Sequence, residues 1–193
     1  MSAIAVSGVV VDSWAAKSRV RNAALVVGLT ALTALSAYIS IPLPFTPVPL
    51  TLQTFAVLAG AAALGAERAV VAQVLYISLA AAGAPVLAGG GGGRDEVIGA
   101  TGGYLLGFVI ASYVVGKISA AGASTKISTT ALAYVAGSLV IYTLGAPWLA
   151  FVTENTMTWA IANGVVPFLI GDAIKAVAAG AVLPLVWKLT KTK

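Results

Sequence analysis

The chain has 193 residues, of which 60% are hydrophobic and 9% charged, with a mean hydropathy of +1.01. A soluble domain carries about 25% charged residues, so this composition describes an integral membrane protein. The formal charge is +5 and the chain contains neither Cys nor His, which excludes disulfides, imidazole bases, cysteine nucleophiles and zinc held by either residue.

Residues 1–21 place the basic cluster Lys17, Arg19 and Arg21 after the short apolar stretch Ile4–Val11. A signal peptide puts its charge first, so this region is predicted to be a cytoplasmic tail. Residues 22–66 carry no charge and are too long for one span of about 20 residues. Pro42, Pro44, Pro47 and Pro49 divide them, because each Pro lacks an N–H and clashes with the preceding helical turn. The prediction is a first helix over 23–39 and a second over 50–64. Glu67-Arg68 reads as a turn into a third helix over 69–82. The glycine run Gly89–Gly93 and Arg94-Asp95-Glu96 form a loop, and a fourth helix covers 101–118. A polar loop over 121–130 leads to a fifth helix over 131–144. Residues 145–164, less apolar and carrying Trp148, Glu154, Asn155 and Trp159, read as a surface-lying or partly inserted lid. A sixth helix over 165–187 is followed by a basic cytoplasmic end, 188–193. The fold predicted is all-α, with six transmembrane helices in one domain over 22–187.

With both termini in the cytoplasm, that side holds Lys17, Arg19, Arg21, Arg68, Lys117, Lys126, Lys188, Lys191 and Lys193, and the other side holds Arg94. This bias is what cytoplasmic loops show, and it accounts for the basic charge without nucleic acid as a partner. Lipid is the surrounding partner.

Two charges remain inside the sixth helix. Asp172 and Lys175 are three residues apart and share a helical face. An ionised residue near the bilayer centre costs about 2.5–3.5 kcal/mol on insertion scales, so it faces a partner, a cavity or water. The pair is either a structural ion pair that fixes helix packing or part of an outward-opening cavity. Three other stretches admit similar alternatives. Gly89–Gly93 lacks the Lys-Ser/Thr of a phosphate loop, and is either a backbone surface for a small ligand or a flexible linker. Gln53 and Thr54, opening the second helix, are either interfacial polar residues or partners for an amide or ureido group. Tyr104 is an interfacial anchor or a wall of the same site. On the first helix, Ala24, Gly28, Ala31, Ala34 and Ala37 let another helix approach closely, either within the chain or from a partner protein docking at Gly28, Ala31 and Ala34.

The segments IPLPFTPVPLTLQTF (41–55), GAPVLAGGGGG (83–93), TGGYLLGF (101–108) and PFLIGDAIK (167–175) occur in this order. Together they resemble the BioY family, the biotin-specific substrate-binding (S) components of energy-coupling factor (ECF) transporters, over residues 22–187. The resemblance implies an S-component-like six-helix fold in a prokaryotic cytoplasmic membrane, with high-affinity biotin binding and uptake. It implies partnership with a transmembrane coupling subunit and two cytoplasmic ATPase subunits, and no catalysis or cofactor of its own. A homo-oligomer is left open.

The positions implied for the ligand site are Asp172, Lys175, Gln53, Thr54, Gly89, Gly90, Gly91, Gly92, Gly93, Tyr104 and Arg94. Two departures stand out: Ala100 where family members often carry Pro, and Arg94 after the glycine run where some members place Arg within it. Asp172 would accept from ureido N–H groups. Lys175 or loop N–H groups would neutralise the ligand carboxylate, and Tyr104, Phe45 or Phe168 would pack on the apolar ring. The opposite orientation stays open. The alternatives are an S component for another vitamin, or an intramembrane enzyme using Asp172 and Lys175 as acid and base.

Overall fold

The computed structural model describes residues 18–121 and 127–191, with side chains over 128–182 in the second segment. The expected tail residues 1–17, residues 122–126 of the expected 121–130 loop and the last two residues lie outside this description, while residues 127–130 of that loop are helical. Among the described residues, eight α-helices and one small ribbon follow in chain order: α1 (Arg19–Tyr38), β1 (Ser40–Ile41), β2 (Leu50–Thr51), α2 (Gln53–Leu64), α3 (Ala66–Ala81), α4 (Arg94–Val97), α5 (Gly102–Ala120), α6 (Ile127–Val152), α7 (Met157–Gly164) and α8 (Val166–Lys191). Among the described residues, four stretches are long and apolar enough to cross a membrane: Arg19–Tyr38, Gly102–Ala120, Ser128–Val152 and Met157–Val182. With 12 and 16 residues, α2 and α3 reach about 18 and 24 Å at 1.5 Å per residue, short of a hydrocarbon core of about 30 Å.

Several predicted boundaries change. Arg19 and Arg21 belong to α1 rather than to a tail, and Glu67-Arg68 lies in the first turn of α3. The fifth helix does not stop at Leu144; α6 runs through Pro147 to Val152. Apolar spanning helices tolerate Pro because neighbouring groups re-satisfy the freed backbone. The expected lid over 145–164 therefore divides into the end of α6, a turn and the short α7. That helix is capped by Thr156, whose Oγ1 accepts from the Trp159 N–H at 3.2 Å. The sixth helix continues beyond Trp187 to Lys191, so Lys188 and Lys191 are helical. The fold is also not purely helical: Ser40 pairs with Thr51 and Ile41 with Leu50 in an antiparallel ribbon. The Pro-rich segment between them cannot be helical, and the ribbon returns the chain from α1 to α2. A further rung, Leu52 N–H to Ile39 O at 3.1 Å, extends it.

At the centre, α5 packs on α2, α3 and α6, while α8 packs on α6 and α2. The buried contacts are built largely from Ala, Gly and Val, including Ala56, Val57, Ala61, Ala69, Ala72, Ala111 and Val115. Small side chains permit the close backbone approach on which helix association in lipid depends. At Gly107 a Cβ would stand 2.9 Å from Ile141 Cα. Gly107→Ala is therefore expected to push α5 from α6 and destabilise the protein by about 1–3 kcal/mol, the usual range for overpacking, read as a lower midpoint in thermal unfolding of the purified protein.

Helix α1 buries Leu29, Thr30, Thr33, Ser36 and Ala37. Thr30 Oγ1 donates to Ala72 O at 3.0 Å, and Gln73 Nε2 donates to Thr33 Oγ1 at 3.2 Å. The five small residues of α1 therefore do not share one outer face. Gly28 and Ala31 are exposed, Ala34 packs partly on the core, and Ala37 is fully buried.

The glycine run folds on itself rather than forming an open cradle or a loose linker. Gly93 N–H donates to Ala80 O at 2.7 Å and Leu87 N–H donates to Gly91 O at 3.0 Å. A Cβ on Gly91 would overlap the Glu96 carboxylate, and one on Gly92 would overlap Ala84 O. Arg94-Asp-Glu is not loop but the opening turn of α4.

Candidate functional site

Between the ribbon, the loop after α3 and helices α2, α5, α6 and α8 lies a cavity of about 70 Å³. Its floor is apolar: Leu105, Phe108, Ile141 and Phe168. Its polar wall comes from two segments that the sequence places far apart. Helix α2 starts directly after the ribbon, so Thr51, Gln53 and Thr54 face inward at its first turn. Helix α8 brings Asp172 and Lys175 to the same place one turn apart.

Asp172 is 7% exposed and gripped from three helices. Its Oδ1 accepts from Lys175 Nζ at 3.0 Å and from Thr54 Oγ1 at 3.2 Å, while its Oδ2 accepts from the Tyr142 hydroxyl at 2.6 Å. Lys175 Nζ also donates to Thr51 O at 2.9 Å and Thr54 Oγ1 at 2.7 Å. An ammonium has three donors, and here all three have acceptors. The charges sit inside the helix bundle because each is held by three hydrogen bonds to protein groups, one of them to the other charge, which is what a buried pair requires.

A second set of bonds fixes the covering loop. Gln53 Nε2 donates to the Tyr76 hydroxyl at 2.7 Å, which donates to Val86 O at 3.0 Å. The Tyr38 hydroxyl donates to Pro85 O. These bonds set Leu87 and Ala88 against the cavity. Tyr104 contributes its ring to the wall, and its hydroxyl donates to Gly164 O at 2.9 Å, tying α5 to α7.

Of the residues singled out in the sequence, Asp172, Lys175, Gln53, Thr54, Tyr104 and Phe168 meet at one cavity. Gly89–Gly93 do not line it; Gly89 borders an adjoining cleft with Asp95 and Glu96, which shares Pro49, Leu87, Ala88 and Thr101 with the cavity. Arg94 is exposed on α4, and Phe45 is exposed on the Pro-rich segment. Tyr142 was not anticipated. A signal for it existed, since Tyr134, Ser138 and Tyr142 recur every four residues and put three hydroxyls on one stripe of an apolar helix.

Comparison with known proteins gives this arrangement a family. The BioY family model matches residues 10–192. The chain belongs to the BioY family. Within the BioY family, the biotin transporter BioY of Thermotoga maritima is 40% identical over 153 residues, covering 79% of this chain and 88% of that protein. The probable biotin transporter BioY of Pyrococcus horikoshii is 38% identical over 162 residues, covering 83% and 93%. The biotin transporter BioY of Rhizobium etli is 35% identical over 155 residues, covering 77% and 82%. In fold, the chain resembles the crystal structure of the S-component for biotin from an ECF-type ABC transporter, with a TM-score of 0.79 and 24% identity over 91% of this chain and 95% of that one.

Proposed function

We infer that this BioY-family protein binds biotin and serves its uptake as the S component of an ECF-type transporter, embedded in the cytoplasmic membrane of a prokaryote. It is a transporter component and not an enzyme. The observation that carries the ligand site is the Asp172–Lys175–Tyr142 cluster on the polar wall of a cavity whose floor is apolar. Biotin has the matching chemistry: a polar ureido ring fused to an apolar thiophane, with a carboxylate on a flexible chain. Asp172, Tyr142, Lys175, Gln53 and Thr54 form the polar wall for it, and Tyr104 and Phe168 the apolar one. Gly89–Gly93 and Arg94 act as the covering loop rather than as wall.

The membrane reading has six spans, with α2 and α3 completing the four longer stretches. Their shortness fits a rim occupied by the ribbon and the loop after α3. Nine cations on one side and Arg94 on the other set both termini in the cytoplasm and open the cavity outward. At about 70 Å³ the cavity holds about five waters, each needing some 10–15 Å³, so the two covering segments part to admit a bicyclic ligand and close behind it. Biotin is cargo, and no cofactor takes part. Energy comes from two cytoplasmic ATPase subunits through a transmembrane coupling subunit, and Gly28 and Ala31 on the outer face of α1 dock against the latter.

Equilibrium dialysis of the purified protein with biotin, thiamine and riboflavin tests the ligand. Biotin alone is expected to bind, with a dissociation constant below about 1 μM, equivalent to about −8 kcal/mol. Binding of another vitamin in its place would reassign the cargo, and recovery of chemically altered biotin would reinstate the enzyme reading.

A further inference from the structure

Resting on the biotin reading, we propose that Tyr142 is a ligand-contacting specificity residue. Its hydroxyl proton, held by Asp172 Oδ2 in the ligand-free protein, is handed to the ureido carbonyl of bound biotin.

The hydrogen-bond inventory of the wall leads to this. Asp172 Oδ1 already accepts two bonds and Oδ2 only one. A carboxylate offers about four acceptor sites, so the vacant one is on Oδ2, beside Tyr142. Lys175 is a poor donor for a ligand. Each of its three N–H groups has an acceptor, and turning one to a ligand would take a bond from Thr51 O, Thr54 Oγ1 or Asp172 Oδ1. Tyr104 has its proton on Gly164 O, at the junction of α5 and α7. Tyr142 differs because the group it serves can be served by the ligand instead.

A cyclic urea presents an N–H and its carbonyl oxygen side by side on one edge. Tyr142 and Asp172 present a hydroxyl donor and a carboxylate acceptor side by side, both buried and both on the cavity wall. When the urea edge enters, its N–H donates to Oδ2 and the Tyr142 hydroxyl turns to the carbonyl. One internal bond is exchanged for two to the ligand, no buried polar atom loses its partner, and no proton changes owner. A compound with donors on both sides of this edge meets the hydroxyl donor to donor, so the pair reads a carbonyl specifically.

The test compares biotin with 2-iminobiotin, in which an imino group replaces the ureido oxygen, on the purified wild type and on Tyr142→Phe. Wild type is expected to prefer biotin. In Tyr142→Phe the ureido carbonyl is left buried without a donor, so biotin is expected to weaken about tenfold, while 2-iminobiotin keeps or gains affinity, so the preference falls by at least that factor. Equal weakening of both ligands would reduce Tyr142 to a structural role and overturn the proposal, as would unchanged affinity for both. Should Tyr142→Phe fail to accumulate, the thiourea analogue of biotin puts the same question to the wild type, because sulfur is a weak acceptor. About tenfold weaker binding supports the proposal, and affinity equal to biotin overturns it. Failure of the wild type to bind biotin at all would instead overturn the function on which the proposal rests.

Discussion

Replacing Lys175 by Met is expected to lower stability by about 3–5 kcal/mol, the range for breaking one half of a buried ion pair, and to abolish biotin binding. The carboxylate of Asp172 would keep Thr54 and Tyr142 but lose its counter-charge in a site only 7% exposed. Thr51 O and Thr54 Oγ1 would lose their donor at the same time. The penalty comes from the uncompensated charge, so removing both charges is expected to relieve most of it. Asp172→Asn/Lys175→Met should unfold close to the wild type and still not bind biotin. Thermal unfolding of the two variants beside a binding measurement separates the effects. If the double variant is as unstable as Lys175→Met, the charge pair is not what the fold depends on there.

Asp172→Asn alone is expected to weaken biotin by about 1–3 kcal/mol, the value of a charge-assisted hydrogen bond, or roughly five- to 150-fold in dissociation constant. The loss is one of pattern as well as charge. Asp172 receives donors on both oxygens, from Lys175 and Thr54 on one and Tyr142 on the other. An amide has one oxygen and one NH₂, so in either flip it turns donors toward donors on one side. Wild-type affinity in Asp172→Asn, measured on the purified protein, would remove Asp172 from the ligand site.

How far these residues could be read from sequence depends on whether their partners are local. Asp172 and Lys175 were legible because i and i+3 on an apolar helix fix their mutual position before any tertiary contact forms. Gln53 and Thr54 were legible for a similar reason, since four prolines force α2 to start near them. Tyr142 was not, because its partner arrives through the packing of α6 on α8, and a Tyr in an apolar helix reads first as an anchor unless its four-residue spacing from Ser138 and Tyr134 is noticed. The glycine run was legible as a special backbone but not as a folded one. Its reason lies in Glu96 and Ala84, which come close only once the loop has closed. The end of α6 was misplaced because residues 145–164 were read together as less apolar, whereas residues 145–152 continue the helix through Pro147. The ribbon was hidden in two residues on each side, too few to show an alternating pattern.

That ribbon ties the first helix to the charges of the last. Ile39 at the end of α1 is bonded to Leu52, Ser40 pairs with Thr51, and the Thr51 carbonyl receives the Lys175 ammonium. Were the proposed coupling subunit to grip α1 and tilt it, the motion would reach Lys175 through this short run of hydrogen bonds. By thermodynamic reciprocity, whatever factor that tilt applies to biotin affinity, biotin applies to the hold of the subunit. Under the docking proposed above, the first helix would be a handle on the binding site, reaching its charges through the two-residue ribbon.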